Sequence, residues 1–409
     1  MEKYESLEKL YYKKQDIFKE YAARINNPCT YKTELKIYPI LKGNKVTQEE
    51  YKLFCLPINE LLMKQEKICL NSKRIIEISS ELPKAAHQAC ITDIMSNEIV
   101  KTNGLEGVHS TKKEIYDSMS SRKSTRFSGI INKYIQITEG NIETIDFPEE
   151  IRKIYDDIFA DDILTNPENK LDGKLFRKEG VYIHSGMNNV HTGDSSEELI
   201  IKHLEDLIEF MNRKDVPFLI KASIVHYYFE YIHPFYDGNG RFGRFLFSMY
   251  LAHKVDIFTG LSLSYSIFGD KNKYSNLFKE TSSPRNKGEL TFFVLGMLEF
   301  ILNGQKSIIK MLKDKKLQLD YAEDYLNKLK KDKKLEKIET EALFIYMQNY
   351  IFAKENPLTD DELLPYIKEL KSIRTLRKYL NRLTDLGLIT TVNKKPIVRT
   401  ASDQIKNII

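Results

Sequence analysis

The chain has 409 residues, of which 42% are hydrophobic and 30% charged, and its formal net charge is +5 at pH 7. This length predicts two or three domains, and the composition excludes a disordered chain. A charge of +5 over such a length does not by itself predict a nucleic-acid-binding protein.

The cysteines and the N-terminus bear on the compartment of the protein. The cysteines form no Cys-x-x-Cys pair and have no histidine cluster beside them, so neither a zinc site nor a redox motif is predicted. They are Cys29, Cys55, Cys69 and Cys90, and we expect reduced, mostly buried thiols. The first residues are charged without an apolar core, and no run approaches the ~20 apolar residues of a membrane span. These features predict a cytoplasmic chain with no membrane partner.

Residues 1–115 are predicted to be mainly helical. Leucine and isoleucine recur among lysine and glutamate over residues 51–80, and apolar residues recur at helical spacing in the stretch that follows. The segment Glu81-Leu-Pro predicts a break between two helices. Gly104 and Gly107 then predict the end of a short helix.

The middle of the chain alternates between helices and turns. Residues 173–186 hold β-prone residues between glycines, which predicts a small hairpin. The segment Ser195-Ser-Glu-Glu-Leu supplies capping residues for a helix that runs to about Met211. A further helix is predicted over residues 217–232 and, after a glycine-rich loop, another over 241–253.

The composition changes beyond about residue 305. Residues 310–341 are rich in lysine and glutamate with periodic apolar residues, which predicts a solvated connecting helix. The residues that follow predict a compact unit of their own. The predicted parts are an N-terminal helical region at 1–115, a core at 116–305, a connecting helix at 306–345 and a final domain at 346–409.

One segment of the core carries most of the chemistry. Pro234 restricts the residue before it to extended backbone, so the preceding helix should end at His233 and leave its ring at an edge. Gly238 and Gly240 can take positive φ and turn backbone N–H groups toward one point. A helix begins there, and its N-terminus favours an anion. This pattern predicts an anion site beside an imidazole.

Charged residues of the same segment suit a nucleotide phosphate. Arg241 and Arg244 lie three residues apart in the first turn of the predicted helix, and each guanidinium can bind two phosphate oxygens. Asp237 supplies a carboxylate suited to Mg²⁺ held against phosphates. Taken singly, such a histidine usually caps a helix and Gly-Asn-Gly usually forms a turn. Together, in this order, they predict a phosphate-transfer site.

The segment that contains His233 and Arg244 resembles the signature of a known family. His233-Pro-Phe-Tyr-Asp-Gly-Asn-Gly-Arg-Phe-Gly-Arg244 matches every defined position of the signature His-Pro-Phe-x-Asp/Glu-Gly-Asn-Gly-Arg-x-x-Arg of the Fic (filamentation-induced-by-cAMP) domain family. The resemblance spans most of residues 40–300. It implies a mainly α fold, with a Fic-type helical core and a small β-hairpin flap.

The resemblance also implies a mechanism in which AMP is transferred from ATP to a protein. His233 would be the general base that takes the proton from a tyrosine, threonine or serine hydroxyl. The hydroxyl oxygen would attack the α-phosphate, and pyrophosphate would leave. Asp237 would hold Mg²⁺ that bridges the α- and β-phosphates.

The rest of the motif would bind the triphosphate. Backbone amides of the Gly-Asn-Gly run and the side chain of Asn239 would stabilise charge on the α-phosphate. Arg241 would bind the β-phosphate and Arg244 the γ-phosphate, while Phe235 would anchor the loop. The ATP-binding residues implied in this way are Gly238, Asn239, Gly240, Arg241, Phe242, Gly243 and Arg244.

Two further regions resemble parts of the family's site. The predicted hairpin resembles the flap, which pairs with the target chain by strand addition, and its residues would be Val181, Tyr182 and Ile183. A simple structural hairpin is the alternative. Tyr274 falls about where the family has an aromatic residue beside adenine, and a core tyrosine is the alternative there.

Residues 102–107 match the family's inhibitory motif Ser/Thr-x-x-x-Glu-Gly/Asn, with Thr102, Glu106 and Gly107 at its defined positions. The motif lies N-terminal to the core, where members with an N-terminal brake carry it. Glu106 would pair with Arg244 and occupy the place of the γ-phosphate, so ATP would bind in a pose unsuited to attack. Glu106 would also position water to remove AMP from modified targets, as in some members. The alternative is a surface glutamate at a helix end.

The C-terminal domain resembles a winged helix. Thr359 and Ser372 are predicted N-caps of two helices, Gly387 ends the second helix, and a short hairpin follows. The apolar face of the second helix comprises Ile373, Leu376, Leu380 and Leu383, and its basic face comprises Arg374, Arg377, Lys378 and Arg382. Such a helix could enter the major groove of DNA. A docking or dimerisation domain with a solvated basic face is the alternative.

Two classes of function therefore stand side by side. The first is an autoinhibited protein adenylyltransferase that acts on other proteins or on itself, and the second is a DNA-binding regulator with a nucleotide-sensing Fic core. The intact His233 favours the enzyme, because a sensor needs no base. Transfer from another nucleotide, such as UTP or GTP, is a third option. The motifs identify neither the target protein nor whether the chain forms a homodimer.

Overall fold

The computed structural model describes residues 4–121, 123–185, 188–333 and 335–409, without the side chains at 183–185 and 188–190. The chain is 63% helix and 8% strand, which confirms the predicted mainly α class with small hairpins. It divides into two compact units. The first comprises Met1–Ser72, Glu98–Ser110 and Ser118–Gln305, and the second comprises Lys73–Asn97, Thr111–Asp117 and Lys306–Ile409. The four-part division drawn from the sequence stays a prediction.

The helices are numbered here in chain order. They are α1 (Leu7–Tyr12), α2 (Ile17–Ile25), α3 (Asn59–Ser80), α4 (Lys84–Leu105), α5 (Lys112–Ser120), α6 (Ser128–Thr138), α7 (Pro148–Phe159), α8 (Glu197–Asn212), α9 (Phe218–Ile232), α10 (Asn239–Lys254), α11 (Ile257–Gly260), α12 (Leu263–Gly269), α13 (Lys271–Ser282), α14 (Thr291–Asp332), α15 (Lys337–Ala353), α16 (Asp360–Leu363), α17 (Ile373–Asp385) and α18 (Asp403–Lys406).

The strands form small antiparallel pairs. They are β1 (Tyr31–Ile37), β2 (Ile40–Leu41), β3 (Asn44–Lys45), β4 (Tyr51–Cys55), β5 (Tyr182–Ser185), β6 (Asn188–Thr192), β7 (Ile389–Lys394) and β8 (Ile397–Ala401). The pairs are β1 with β4, β2 with β3, β5 with β6 and β7 with β8.

The N-terminal region is mainly helical, as predicted, but it also contains strands that were not predicted. Strand β1 alternates buried and exposed side chains, with Thr33, Leu35 and Ile37 inward, and that period of two belongs to a strand. The prediction that helical patterning starts at residue 51 was wrong, because β4 occupies Tyr51–Cys55 and α3 begins at Asn59. Short apolar runs do not distinguish a buried strand from a helix.

The predicted helix boundaries around the inhibitory motif agree with the structure. Helix α3 ends at Ser80 and α4 begins at Lys84, which places the break at Glu81-Leu-Pro. Helix α4 ends at Leu105, and Gly107 follows with φ of +74°. The helix before the motif is 22 residues long rather than short, and it continues through Gly104.

Helices α9 and α10 form the centre of the first unit. Most of their side chains are buried, and α9 is hydrophobic on nearly every face, as expected of a helix surrounded by others. Helix α8 packs against α9, α7 against α8, and α11 against α10. The loop between α9 and α10 is the motif segment, so two buried helices fix its ends.

The predicted connecting helix is part of a longer helix. Helix α14 starts at Thr291 and runs for 42 residues to Asp332. One of its 18-residue windows reaches a mean hydropathy of 1.3, so by length and composition alone it could cross a membrane, contrary to the sequence expectation. However, 67% of that window is buried inside the protein, as in a core helix. The expectation of mostly buried cysteines was half wrong, because Cys29 and Cys69 are exposed.

The second unit ends in the predicted order of a capped short helix, a second helix and a hairpin. Thr359 caps α16, and Leu376, Leu380 and Leu383 of α17 are fully buried. On the opposite face, Arg377 pairs with Asp360 at 3.1 Å, while Arg382 bonds the buried Glu339. Part of the predicted DNA-facing charge is therefore used inside the unit. The winged-helix and DNA assignments stay predictions.

Candidate functional site

The motif begins where α9 ends. Helix α9 stops at Ile232, as Pro234 predicts, but His233 has left-handed backbone, with φ of +55°, instead of the expected extended geometry. Proline disfavours the right-handed helical region in the residue before it, and the left-handed backbone of His233 lies outside that region. The backbone N–H of His233 still donates to the Phe229 carbonyl at 3.0 Å. The chain therefore leaves the helix abruptly and carries the imidazole with it.

A buried arginine holds this turn in place. The Arg177 Nε donates to the His233 carbonyl at 2.9 Å, and its Nη2 donates to the Ile232 carbonyl at 3.3 Å. Its Nη1 donates to the Asp194 carbonyl at 2.6 Å and also to that of Glu179. A cation at the C-terminus of a helix is favoured by the carbonyl dipoles. Burial lowers the Arg177 pKa to about 10, and sequence reasoning missed the residue because nothing local marks it.

The first half of the motif loop is fixed to the fold. The Asn239 side-chain Oδ1 accepts from the Phe235 N–H at 2.9 Å, and its Nδ2 donates to the Phe235 carbonyl at 2.8 Å. Phe235 is fully buried and stacks on Tyr155, with ring centroids 3.6 Å apart. Gly238 has φ of +82°. The predicted anchoring by Phe235 agrees with this packing, whereas the Asn239 amide is used to close the loop.

A cavity of about 570 Å³ lies at the start of α10. His233, Gly240 and Arg244 of the motif line it, together with Glu106 and Tyr274. The first N–H groups of a helix have no partner within that helix, so the N-terminus of α10 offers donors here. The structure therefore brings the predicted base, one arginine and the predicted inhibitory glutamate to one cavity.

Arg244 is held by the inhibitory motif. Its Nη2 donates to the Glu106 carboxylate at 2.6 Å, its Nε donates to the Thr102 hydroxyl at 3.0 Å, and its Nη2 lies 3.2 Å from the Thr102 carbonyl. Arg244 is 2% exposed, while the Glu106 side chain is 36% exposed. A Cβ on Gly240 would lie 2.2 Å from the Glu106 carboxylate. Only glycine at position 240 lets the carboxylate approach this closely.

Arg241 faces the other side of α10. Its Nη1 donates to the Asp162 carboxylate at 2.6 Å, and its guanidinium lies 4.9 Å from the centroid of the Phe159 ring. Asp162 also accepts from Arg126 at 2.7 Å. Arg241 is thus directed at the segment after α7 rather than at the cavity. Its β-phosphate role stays a prediction.

His233 is kept neutral by its surroundings. Burial lowers the His233 pKa to about 3, and the charges of His191 and Arg177 act in the same direction. The His191 ring lies 6.3 Å from the His233 ring and also lines the cavity. A neutral imidazole can accept a proton. His191 lies at the end of the flap hairpin, which is why local patterns did not identify it.

Glu230 is a second functional candidate that sequence reasoning missed. It lines the cavity three residues before His233, and its carboxylate lies 3.8 Å from the His233 Nδ1. Burial raises the Glu230 pKa to about 8, with Arg244 acting against this and Glu106 acting with it. The one sequence signal was an acidic residue inside an otherwise apolar helix. At neutral pH this group is mostly uncharged.

Tyr274 lines the cavity, whereas Phe242 and Gly243 of the motif lie inside the fold. The Tyr274 hydroxyl lies 2.7 Å from the His226 Nε2, and Tyr274 lines the cavity as the predicted nucleotide-side aromatic would. Phe242 is fully buried, with its ring 5.3 Å from that of Phe229. A Cβ on Gly243 would lie 2.4 Å from the Glu230 carboxylate. Phe242 and Gly243 therefore pack α10 against α9.

The flap hairpin lies later in the chain than predicted. Strand β5 (Tyr182–Ser185) pairs antiparallel with β6, and Val181 precedes it. Tyr182 is 61% exposed, whereas the Ile183 side chain lies outside the described residues. Among the described residues the sheet has two strands, so the outer edge of β5 is unpaired. That edge is the kind to which an extended peptide adds.

The hairpin of β2 and β3 also reaches the cavity. Ile40, Lys42 and Gly43 line it, and the Gly43 carbonyl accepts from the Thr192 hydroxyl at 2.7 Å. Lys45 pairs with the buried Asp194 at 2.6 Å. This hairpin was not predicted, because its strands have two residues each and carry no periodic signal.

Asp237 is the candidate for a metal ligand. It is exposed, and its Oδ1 accepts from the Gly238 N–H at 2.6 Å. Among the described residues, no group of three or more His, Cys, Asp and Glu side chains could hold a metal ion. Magnesium bound with a nucleotide commonly uses one or two carboxylates, phosphate oxygens and water. A single carboxylate next to the cavity loop fits such an ion.

The chain resembles proteins of known structure. A Fic family protein from Desulfovibrio desulfuricans G20 is 16% identical and has a TM-score of 0.50, with 85% of this chain and 97% of that chain covered. A Fic domain containing signaling protein from Bacteroides thetaiotaomicron VPI-5482 is 16% identical and has a TM-score of 0.40, with 60% of this chain and 97% of that chain covered. Fic-1 from C. elegans is 13% identical and has a TM-score of 0.39, with 62% of this chain and 72% of that chain covered. At such identities the first likeness concerns the fold alone.

The family model of the Fic/DOC family matches residues 144–251 of this chain. That range contains the flap hairpin, Arg177, Glu230 and the whole motif from His233 to Arg244. The inhibitory residues and Tyr274 lie outside it. Residues 144–251 therefore form a Fic/DOC family domain.

Proposed function

We propose that the protein is an adenylyltransferase that moves AMP from ATP to a hydroxyl group of a protein, and that Glu106 restrains this activity. The observation that carries the proposal is the Glu106–Arg244 pair, 2.6 Å apart beside Gly240 in the cavity that His233 lines. A carboxylate on this arginine occupies a place suited to a phosphate. The pair supports both the proposed phosphate site and the proposed restraint.

In the proposed reaction, His233 removes the proton from the target hydroxyl while the oxygen attacks the α-phosphorus of ATP. The bond between the α-phosphorus and the bridging oxygen breaks, and pyrophosphate leaves with that oxygen. Because its pKa is lowered, the His233 ring is unprotonated at neutral pH, which is the form that can accept a proton. Backbone amides at the start of α10 stabilise the charge that develops on the α-phosphate.

Asp237 would hold Mg²⁺ together with the phosphates of the nucleotide, and the ion would neutralise phosphate charge when bound. Arg244 would bind the γ-phosphate once Glu106 has left it. Glu230 stays mostly uncharged at neutral pH and so adds little repulsion toward the triphosphate. The open edge of β5 would align the target chain so that its hydroxyl faces His233.

The alternative of a DNA-binding nucleotide sensor has less support. Arg377 and Arg382 of α17 are paired with Asp360 and Glu339 inside the second unit. A sensor would also have no use for a neutral histidine beside the phosphate seat.

The test compares wild-type protein with the Glu106→Gly variant, using labelled ATP and Mg²⁺. We expect the variant to transfer more label to protein, because Arg244 becomes available to the γ-phosphate. Glu139→Gly is the matched control, since Glu139 is an exposed glutamate at the end of α6. Unchanged or lower transfer by Glu106→Gly would show that the restraint is assigned to the wrong residue.

A further inference from the structure

The inhibitory motif is carried at the end of α4, and another glutamate of that helix, Glu98, lies on the same face and is buried. Glu98, Thr102 and Glu106 follow one another at intervals of four residues, so they form one stripe. Thr102 and Glu106 bond Arg244 of α10. Glu98 is fully buried, and its carboxylate accepts hydrogen bonds from the start of α12 instead of from Arg244. Its role is therefore a separate question.

Glu98 binds the start of α12. Its Oε1 and Oε2 accept from the Ser264 N–H at 2.8 and 2.9 Å, and Oε2 accepts from the Tyr265 N–H at 3.3 Å. The Ser248 hydroxyl of α10 lies 3.4 Å from Oε1. The N-cap residue of α12, Ser262, makes no side-chain cap hydrogen bond. Glu98 therefore supplies, from another helix, the acceptor that the first N–H groups of α12 need.

The other end of α12 contacts the last turn of α4. A Cβ on Gly104 would lie 2.9 Å from the Phe268 ring, so glycine allows the two helices to approach closely there. The Lys271 Nζ, just beyond α12, donates to the Gly104 carbonyl at 3.0 Å. Helix α12 thus holds α4 at two points, one before Thr102 and one just before Glu106.

These contacts constrain the position of Glu106 along and around the helix axis. A helix rises about 1.5 Å per residue, so a shift of one residue would move Glu106 by about 1.5 Å and turn it by about 100°. The 2.6 Å contact with Arg244 would then be lost. A carboxylate fixed on two backbone amides is a rigid reference point, because the amides belong to a packed helix.

From this arrangement we infer that Glu98 is a positioning residue for Glu106: its bonds to α12 hold α4 in the register at which the inhibitory carboxylate meets Arg244. The inference rests on the proposed restraint of AMP transfer by Glu106. It adds that, on release, the last turn of α4 leaves its contacts with Phe268 and Lys271 while Glu98 stays anchored. Thr102 and Glu106 form the movable part, and Glu98 with Ser264 and Tyr265 forms the fixed part.

The test measures transfer of α-phosphate label from ATP by Glu98→Gln, Glu106→Gly and the double variant, all as full-length protein. Glutamine keeps the size of the side chain but brings an NH₂ group toward the amide donors. We expect Glu98→Gln to raise basal transfer roughly tenfold, the scale of losing one charge-assisted hydrogen bond. In the Glu106→Gly background the same change should have no effect, because no carboxylate remains to be positioned.

Ser96→Ala is the control, because Ser96 is also fully buried on α4 and its hydroxyl bonds the Thr92 carbonyl within the helix. Its basal transfer should equal that of wild type. Gly104→Ala is a second probe, which should also raise transfer by pushing α4 from Phe268. Alanine favours the helix more than glycine does, so simple loss of helix stability would not explain that increase. If Glu98→Gln fails to fold, unchanged transfer by Gly104→Ala would still overturn the inference, because a displaced α4 should release Glu106.

The outcomes separate the two proposals. If Glu106→Gly raises transfer but Glu98→Gln and Gly104→Ala do not, the positioning role is wrong and the restraint stands. If Glu98→Gln raises transfer further in the Glu106→Gly background, Glu98 acts on catalysis and the positioning role is also wrong. If Glu106→Gly itself raises nothing, both the restraint and the positioning role are overturned.

Discussion

The motif loop has two sides, and they differ in what their side chains do. On the cavity side, His233, Gly240 and Arg244 line the cavity, and Arg244 bonds the Glu106 carboxylate. On the other side, Asn239 and Arg241 bond the loop backbone and Asp162. One twelve-residue motif therefore holds groups available for chemistry and groups that build the scaffold. Spacing along the chain does not separate the two sets, since Arg241 and Arg244 are a single turn apart.

The comparison predicts that changes on the cavity side reduce activity without reducing stability. The largest expected effect is that of His233→Ala, because loss of a general base typically costs ~10²–10⁴-fold in rate. The measurement is label transfer from ATP in a Glu106→Gly background, with thermal unfolding recorded beside it. Near-normal transfer by this variant would remove His233 from the mechanism.

Changes on the scaffold side should reduce stability. Asp162→Ala leaves Arg241 buried without its carboxylate, and such a loss costs about 3 kcal/mol in unfolding free energy. Denaturant unfolding of wild type and variant measures this. The variant also sharpens the comparison: if Asp162→Ala raised AMP transfer as Glu106→Gly is expected to, Arg241 would be a second restrained phosphate ligand and not a scaffold residue.

Asn239→Ala should show a similar but smaller effect. It removes both bonds to the Phe235 backbone and leaves that N–H and carbonyl buried, which costs about 2 kcal/mol in unfolding free energy. Denaturant midpoints measure the change. Loss of transfer in a variant of unchanged stability would place the Asn239 amide on the cavity side, as the resemblance to the family first suggested.

The smallest predicted effect concerns pH. Because the His233 pKa is lowered to about 3, the ring is already unprotonated above that value, and transfer should not fall through protonation of His233 between pH 8 and pH 5.5. A histidine with an ordinary pKa of ~6.5 would lose about tenfold over the lower part of that range. The measurement is kcat/KM of Glu106→Gly against pH. A tenfold fall centred near pH 6.5 would contradict the burial of the ring.

Sequence reasoning was most successful where a single residue determines local geometry. Pro234 predicted the end of α9, and Gly107 predicted the end of α4, because proline and glycine restrict or free the backbone directly. The motif also placed His233 and Arg244, which the structure brings into one cavity with Glu106.

The sequence could not supply what depends on distant partners. Arg177 contacts His233 across 56 positions, and Asp162 contacts Arg241 across 79. Glu230 differs from a solvated glutamate only through its burial. The left-handed backbone of His233 was also missed, since Pro234 leaves more than one conformation open and the Arg177 bonds accompany the one observed.

The central claim is that the cavity at His233 transfers AMP and that Glu106 restrains the transfer. The most direct measurement incubates Glu106→Gly, in parallel, with ATP labelled at the α-phosphate and with ATP labelled at the γ-phosphate, followed by mass spectrometry of the protein. The account predicts that the α-label stays on a tyrosine, threonine or serine side chain and that the γ-label leaves with pyrophosphate. Retention of the γ-label on protein would contradict it.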